Sequence, residues 1–390
     1  MIPYGKQSID KKDIESVVQA LKSDYLTQGP IVNIFEKNFS EFCDAKYSVA
    51  TNSASSSLII ACKALNVKKG DYVWTSAITF VASSNCALHC GAKIDFIDID
   101  SKSYNICPSK LKSKLIKSRK NGTLPKVIIV VHLAGNPCDM KKLYKLSKEF
   151  GFKIIEDASH AIGSYYNEDP IGSCKYSDIS VFSFHPVKIM TTGEGGMCTT
   201  NDISIYNSMK RLTSHGVTRD PNEMTEVPHG PWYYQQIDLG YNFRMTEIRA
   251  ALGINQLKKV KKFTKKRNII AKRYDELLKD LPIKKQFVNS KCFSSYHLYI
   301  IRIPNKKNYS RNNIFERFHS QGIFVNLHYI PIYKQPYYYK RYKFDLNYFQ
   351  ESEKYYKEAI SIPIFPDLSF KDQKKIVNVL LKPIGHQTIF

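Results

Sequence analysis

Short apolar runs alternate with amphipathic stretches between about residues 48 and 200. YSVATN (47–52), DYVWTS (71–76), KIDFIDID (93–100), KVIIVVHL (126–133), FKIIEDAS (152–159) and ISVFSF (179–184) are rich in β-branched and aromatic residues and read as strands. Most of the gaps carry apolar residues at helical spacing, as in SSSLIIACKAL (55–65) and MKKLYKLSKEF (140–150); KKDIESVVQALKS (11–23) repeats that pattern ahead of the first strand. Parallel neighbours need crossover connections. The alternation therefore predicts an α/β fold with a mainly parallel, mixed sheet flanked by helices. A long helical stretch, MTEIRAALGINQLKKVKKFTKKRNIIAKRYDELL, then leads towards a second strand region, YHLYIIRI (296–303). The expected division is a large domain with its N-terminal segment over 1–250, and a linking helix with a small C-terminal α/β domain over 251–390. The tyrosine-rich KQPYYYKRYKF (334–344), with Pro331, Pro336 and Pro363 near it, predicts an ordered, turn-rich surface.

Composition narrows the class. At 24% charged and 43% hydrophobic residues, the chain is an ordinary globular one. No apolar run approaches the ~20 residues of a membrane span, and no apolar leader is visible at the N-terminus, so a cytoplasmic protein is expected. Nine cysteines at irregular spacing, with no CxxC pair, suggest reduced thiols rather than a metal site or a disulfide framework. The net charge of +23 raises a nucleic-acid reading. The lysines are spread along the chain, however, for example Lys114, Lys117, Lys120, Lys258, Lys259, Lys265 and Lys266, and no basic arm forms. No nucleic-acid partner is expected.

In an open parallel sheet, ligands gather beyond the carboxyl ends of the strands, so chemistry is sought just after each apolar run. In FSFHPVKIMTTGEGGM (182–197), Lys188 follows a strand end in a segment with few other charges, beside Ser183, His185 and the pair Gly195–Gly196. A partly desolvated lysine keeps a free amine that can attack an aldehyde; the plain alternative is a solvated charge. In IIEDASHAIGS (154–164), Asp157 sits where a strand runs out. It either faces a pyridinium nitrogen, as an electron-sink cofactor requires, or caps a helix over ASHAI. His160 either touches such a ring or satisfies the core. In ATNSASSSLIIACKAL (50–65), the N–H groups of Ala54 and Ser55 open a helix, with the Ser55 hydroxyl beside them. That is a phosphate cup or simple serine capping. Neither a Walker pattern nor GxGxxG is present. Phe80, after the strand DYVWTS, either stacks on a flat ring or belongs to the core. Together these positions make a complete set for one cofactor, pyridoxal 5′-phosphate.

At these residues the chain resembles a known family. SFHPVKIMTTGEGGM, EDASHAIG, the TNSASSS turn, ITFVASSN and LGYNFRMTEIRAALGINQL resemble the fold type I sugar aminotransferases, and the resemblance covers nearly the whole chain. It implies that Lys188 forms the imine with the cofactor aldehyde and Asp157 pairs with the pyridinium nitrogen. Ala54, Ser55 and Ser183 would hold the phosphate, with Phe80 stacking on the ring and His160 near it. Asn242 would reach the cofactor phosphate of a neighbouring subunit, which implies a homodimer with shared active sites. The turn reads Ala54–Ser55 where many members have Gly–Thr, and the hydroxyl is kept. HLAGNPCDM (132–140), HGPWYYQQIDLGYN (229–242) and NLHYIPIYKQPYY (326–338) further resemble the branch that makes the 4-amino sugar precursor of pseudaminic acid. The implied substrates are a UDP-linked 2-acetamido-2,6-dideoxy-4-hexulose and L-glutamate, with His185, His215 and Tyr241 at the sugar. A basic surface would also attract such an anionic substrate. Three alternatives stay open: another UDP- or dTDP-keto sugar, a sugar dehydratase on the same scaffold, and a non-catalytic basic binding protein. The dehydratases carry histidine at the lysine position, which Lys188 does not match.

Overall fold

The computed structural model describes residues 1–304 and 310–381. The parts of the expected small domain at 305–309 and 382–390 lie outside the described residues. All six runs read as strands in the N-terminal half form strands: β1 (Tyr47–Thr51), β2 (Tyr72–Ser76), β3 (Lys93–Ile97), β4 (Val127–Val131), β5 (Lys153–Asp157) and β6 (Ile179–Ser183). A seventh, β7 (Gly196–Thr200), was not anticipated. The sheet order is β1-β7-β6-β5-β4-β2-β3. The pairs β2–β3, β2–β4, β4–β5 and β5–β6 are parallel, whereas β7 runs antiparallel to both β1 and β6. The sheet is thus mixed and mostly parallel.

Successive side chains point to opposite faces of a strand, and here both faces are covered. Ile128, Val130, Ile154 and Phe182 join one core with Phe35 and Phe39 of a helix. Their neighbours Val127, Ile129, Ile155 and Val181 join a second core on the other face. The N-terminal helices include α1 (Lys11–Leu21), α2 (Pro30–Cys43), α3 (Ala54–Ala64) and α4 (Ala82–His89), of which α3 and α4 reach the site. Among the described residues, no helix is long and apolar enough to cross a membrane.

The long helical stretch is two helices, α5 (Glu247–Leu257) and α6 (Val260–Leu277), parted at Lys258 and Lys259. The break lets α5 pack on α1 and α2 while the far half of α6 turns to a third core, where Ile270, Ala271 and Tyr274 meet Tyr299, Ile301 and Ile360. That core covers a small antiparallel sheet in the order Lys284–Lys285, Tyr299–Arg302, Ala359–Ile362. The N-terminal segment joins this small layer, with Ile2 N–H bonded to Gly322 O and Phe324 N–H to Ile2 O. A fourth cluster, including Ile78, Leu133, Leu298 and Tyr355, seals the two layers together.

A buried carboxylate pins the helix break. Asp13 accepts from Asn255 Nδ2 (2.9 Å), Gln256 Nε2 (2.8 Å) and Lys259 Nζ (2.7 Å), and its side chain is fully buried. Removing one member of a buried pair strands the other. Asp13→Ala should therefore cost about 3 kcal/mol, at the lower end for such losses because Asp10 still holds Lys259. A urea unfolding midpoint unchanged from wild type would refute this.

The tyrosine-rich segment departs from its surface reading. Tyr337 and Tyr339 are exposed, but Tyr338 is buried in the second core, with its hydroxyl at 2.6 Å from both Ser84 Oγ and Asn85 Oδ1. A short helix, Pro336–Arg341, turns the middle tyrosine inward. A string of aromatics shows no such sidedness until it has a surface to pack on.

Candidate active site

The carboxyl ends of β5 and β6 and the first turn of α3 open on one cavity of about 590 Å³. Ser53 caps α3: its Oγ accepts the Ser56 N–H at 3.2 Å and its carbonyl the Ser57 N–H at 3.0 Å. The Ala54 and Ser55 N–H groups are left for a ligand, at the positive end of the helix dipole. Gly196 explains how β7 passes so near. A Cβ there would stand 2.6 Å from the Ser53 backbone carbon and oxygen, so a larger residue would push the cap away.

Asp157 ends β5. Its Oδ2 accepts from Ser83 Oγ at 2.6 Å and its Oδ1 from Ser159 N–H at 3.1 Å. Ser83 belongs to α4 and is itself bonded to Thr79 Oγ1 at 2.8 Å. The residues after Asp157 form turns, not the helix that capping would require. The carboxylate is therefore held by two donors at the cavity wall. Lys188, five residues beyond β6, lines the same cavity, and its N–H bonds to His185 O at 2.9 Å. Burial lowers its pKa from 10.5 to about 8, with the Asp157 carboxylate opposing the shift. It is thus a lysine with a ready supply of free amine.

The cavity also collects Ser183, His185, Phe80 and His160. Phe80 is 56% exposed, an open aromatic face within a cavity rather than a core residue. His160 is buried and neutral, its pKa pushed well below the usual value by burial first and then by Lys188 and His328. Asn242, His215 and Tyr241 do not line the cavity of their own chain. They lie together on the stretch that follows the helix Ile203–Thr213: His215 N–H bonds to Tyr241 O at 2.8 Å, and Asn242 O accepts from Asn52 Nδ2 at 3.4 Å.

Sequence reasoning gave no role to the residues that the small layer and the N-terminus contribute: Tyr4, His297, Asn326, His328 and Tyr329. For Asn326, His328 and Tyr329 the available signal was the segment NLHYIPIY, which carries the family resemblance but has no periodicity pointing to chemistry. His328 Nδ1 bonds to Ser361 Oγ at 2.9 Å, and burial lowers its pKa to about 3.

What this cavity can hold is a flat phosphorylated aldehyde with a basic ring nitrogen. The residues fit it: orphan N–H groups for a phosphate, an open aromatic face for a ring, an anchored carboxylate for the nitrogen and a free amine for the aldehyde. Fold and cavity define an aminotransferase that uses pyridoxal 5′-phosphate. Residues 7–381 match the DegT/DnrJ/EryC1/StrS aminotransferase family, and the chain belongs to that family. It is 36% identical to the UDP-4-amino-4,6-dideoxy-N-acetyl-beta-L-altrosamine transaminase of Campylobacter jejuni subsp. jejuni serotype O:2, over 97% of this chain and 96% of that one. Among solved structures it is similar to Helicobacter pylori PseC, an aminotransferase involved in the biosynthesis of pseudoaminic acid. That match has a TM-score of 0.88 and 32% identity and covers 98% of each chain. The PLP-form of the putative sugar aminotransferase Spr1654 from Streptococcus pneumoniae is also similar, with a TM-score of 0.86 and 28% identity over 98% of each chain. The chain is a sugar aminotransferase.

Proposed function

We propose that the enzyme moves an amino group from L-glutamate to C4 of a UDP-linked 2-acetamido-2,6-dideoxy-4-hexulose, giving UDP-4-amino-4,6-dideoxy-N-acetyl-β-L-altrosamine for pseudaminic acid synthesis. The observation that carries the choice of sugar is the near full-length match to the C. jejuni transaminase. Incubation with glutamate and a panel of UDP- and dTDP-4-keto sugars, followed by product identification, tests it. Turnover of only a dTDP-linked keto sugar would overturn the choice. All nine cysteines are free thiols, eight of them buried, which suits work in a reducing cytoplasm.

The chain's own groups divide the labour. Bound pyridoxal phosphate supplies the electron sink. Asp157 keeps a proton on the ring nitrogen. The Lys188 amine would take the proton from the α-carbon of the donor and return it to the carbon on the other side of the shared nitrogen. A group whose pKa lies near the working pH can do both. The Ala54 and Ser55 N–H groups and the Ser55 and Ser183 hydroxyls bind the phosphate, and Phe80 covers one ring face. His185 lies at the mouth of the cavity, beside the sugar.

Active sites shared between two copies of the chain complete the reading. Asn242 is exposed and outside its own cavity, on a stretch that also exposes Trp232 (66%) and Leu239 (74%). These apolar side chains are what a second copy would cover. From there Asn242 reaches the cofactor phosphate of the other copy, with His215 and Tyr241 near its sugar. Losing one hydrogen bond to a dianion should weaken cofactor retention by about 1.5–3 kcal/mol. Lys188→Ala and Asn242→Ala chains, unfolded and refolded together, should regain up to half the activity of a mixed dimer. If mixing restores nothing, each chain builds its own site.

A further inference from the structure

Tyr329 comes from the small layer, yet its phenol faces the cavity at the end of the large sheet. The hydrogens around it can be traced. The Ala134 N–H donates to His160 Nδ1 at 3.3 Å, so that nitrogen carries a lone pair. His160 is neutral, and its single ring proton therefore sits on Nε2. Nε2 lies 3.1 Å from Tyr329 Oη, so this N–H donates to the phenol oxygen. Burial, then the Asp157 carboxylate and Tyr4, raise the phenol pKa, and Tyr329 keeps its own proton. That proton finds no protein acceptor among the described residues. Its ring is held between His160 (6.1 Å) and Phe80 (5.9 Å), and Tyr355 Oη donates to the His328 carbonyl just before it at 2.5 Å.

Several other groups lining the cavity are committed. Lys188 moves the carbon proton, both Asp157 oxygens accept hydrogen bonds, both His160 nitrogens are used, and His328 does not charge at neutral pH. We propose that Tyr329 is a catalytic acid whose O–H protonates the oxygen that a keto compound loses as water, and that His160 is the positioning residue that turns this O–H into the cavity. The bookkeeping of atoms closes. The amine nitrogen bonds to the carbonyl carbon and one of its protons passes to the oxygen, leaving a hydroxyl. Tyr329 gives its proton to that hydroxyl, the C–O bond breaks and water leaves. The nitrogen lone pair forms the C=N bond, and the remaining nitrogen proton returns to the phenolate. Nothing is oxidised or reduced. The reverse path releases 2-oxoglutarate. The proposal rests on the aminotransferase reading but not on the identity of the sugar.

The experiment uses the holoenzyme and its two half-reactions, each followed by cofactor absorbance. Glutamate drives the first, and either 2-oxoglutarate or the keto sugar drives the second. Tyr329→Phe should slow both by about 10²–10⁴-fold, the range for general acid catalysis, with the cofactor spectrum and its pH titration unchanged. 3-Fluorotyrosine in place of Tyr329, a nearly isosteric phenol that keeps the O–H, should stay active in both steps. His160→Leu should slow both steps, and His160→Gln, which can still donate to Oη, should restore most of the rate. Unchanged rates in Tyr329→Phe would overturn the proposal. So would a loss confined to the keto-sugar step, which marks a sugar contact, or a shifted cofactor titration, which marks a contact to the ring. If Tyr329→Phe does not fold, unchanged rates in His160→Leu overturn it instead. A wild-type enzyme that prefers another donor or keto sugar overturns the substrate reading alone, and the same two steps are then read with that pair.

Discussion

Lys188→Ala should lose transamination by about 10⁴-fold or more, because one substitution removes both the amine that meets the aldehyde and the group that moves the proton. Borohydride should fix no cofactor to the variant. Covalent labelling at wild-type stoichiometry would show that another lysine serves. The depressed pKa gives the wild-type residue a second signature. Only the unprotonated amine attacks an aldehyde, and Lys188 loses its proton around pH 8 rather than 10.5. Imine formation in cofactor-free protein should therefore rise with pH through a midpoint near 8 and level off below pH 10. A rate still climbing beyond pH 10 would mean that Lys188 is not desolvated as the structure has it.

Asp157→Ala should lower turnover by about 10²–10³-fold, the scale of removing one preorganised electrostatic contact, while the protein stays folded. The change leaves Ser83 with Thr79 as its hydrogen-bond partner and breaks no helix cap, since turns follow Asp157. The variant also reports on Lys188. The carboxylate raises the lysine pKa against burial, so its loss should move the imine-forming midpoint below 8. Near-normal turnover in a folded variant, with that midpoint unmoved, would mean that Asp157 acts on neither the ring nitrogen nor the lysine.

The sequence by itself determined the strands that end at Asp157 and Ser183, the helix that opens at Ala54, and hence the neighbourhood in which Lys188 had to be sought. Each of these is written in a local run: an apolar stretch stopped by polar residues, or a serine before a helical period. Local signals were silent where the outcome depended on distant partners. GMCTT became β7 because β1 and β6 left an antiparallel slot between them, and Gly196 could pass against Ser53. The helical pattern across Lys258 and Lys259 broke because α5 packs on the large layer while the far half of α6 reaches the small one. Tyr338 turned inward while Tyr337 and Tyr339 stayed out, although the three are chemically identical in the chain. Only the tertiary structure brought His297, His328 and Tyr329 to the cavity from about 140 to 172 residues beyond Asp157. It also set the downward shift of the Lys188 and His160 pKa values. A pKa follows from how much water is excluded and which charges stand near, and those are sums over the whole fold that no segment contains.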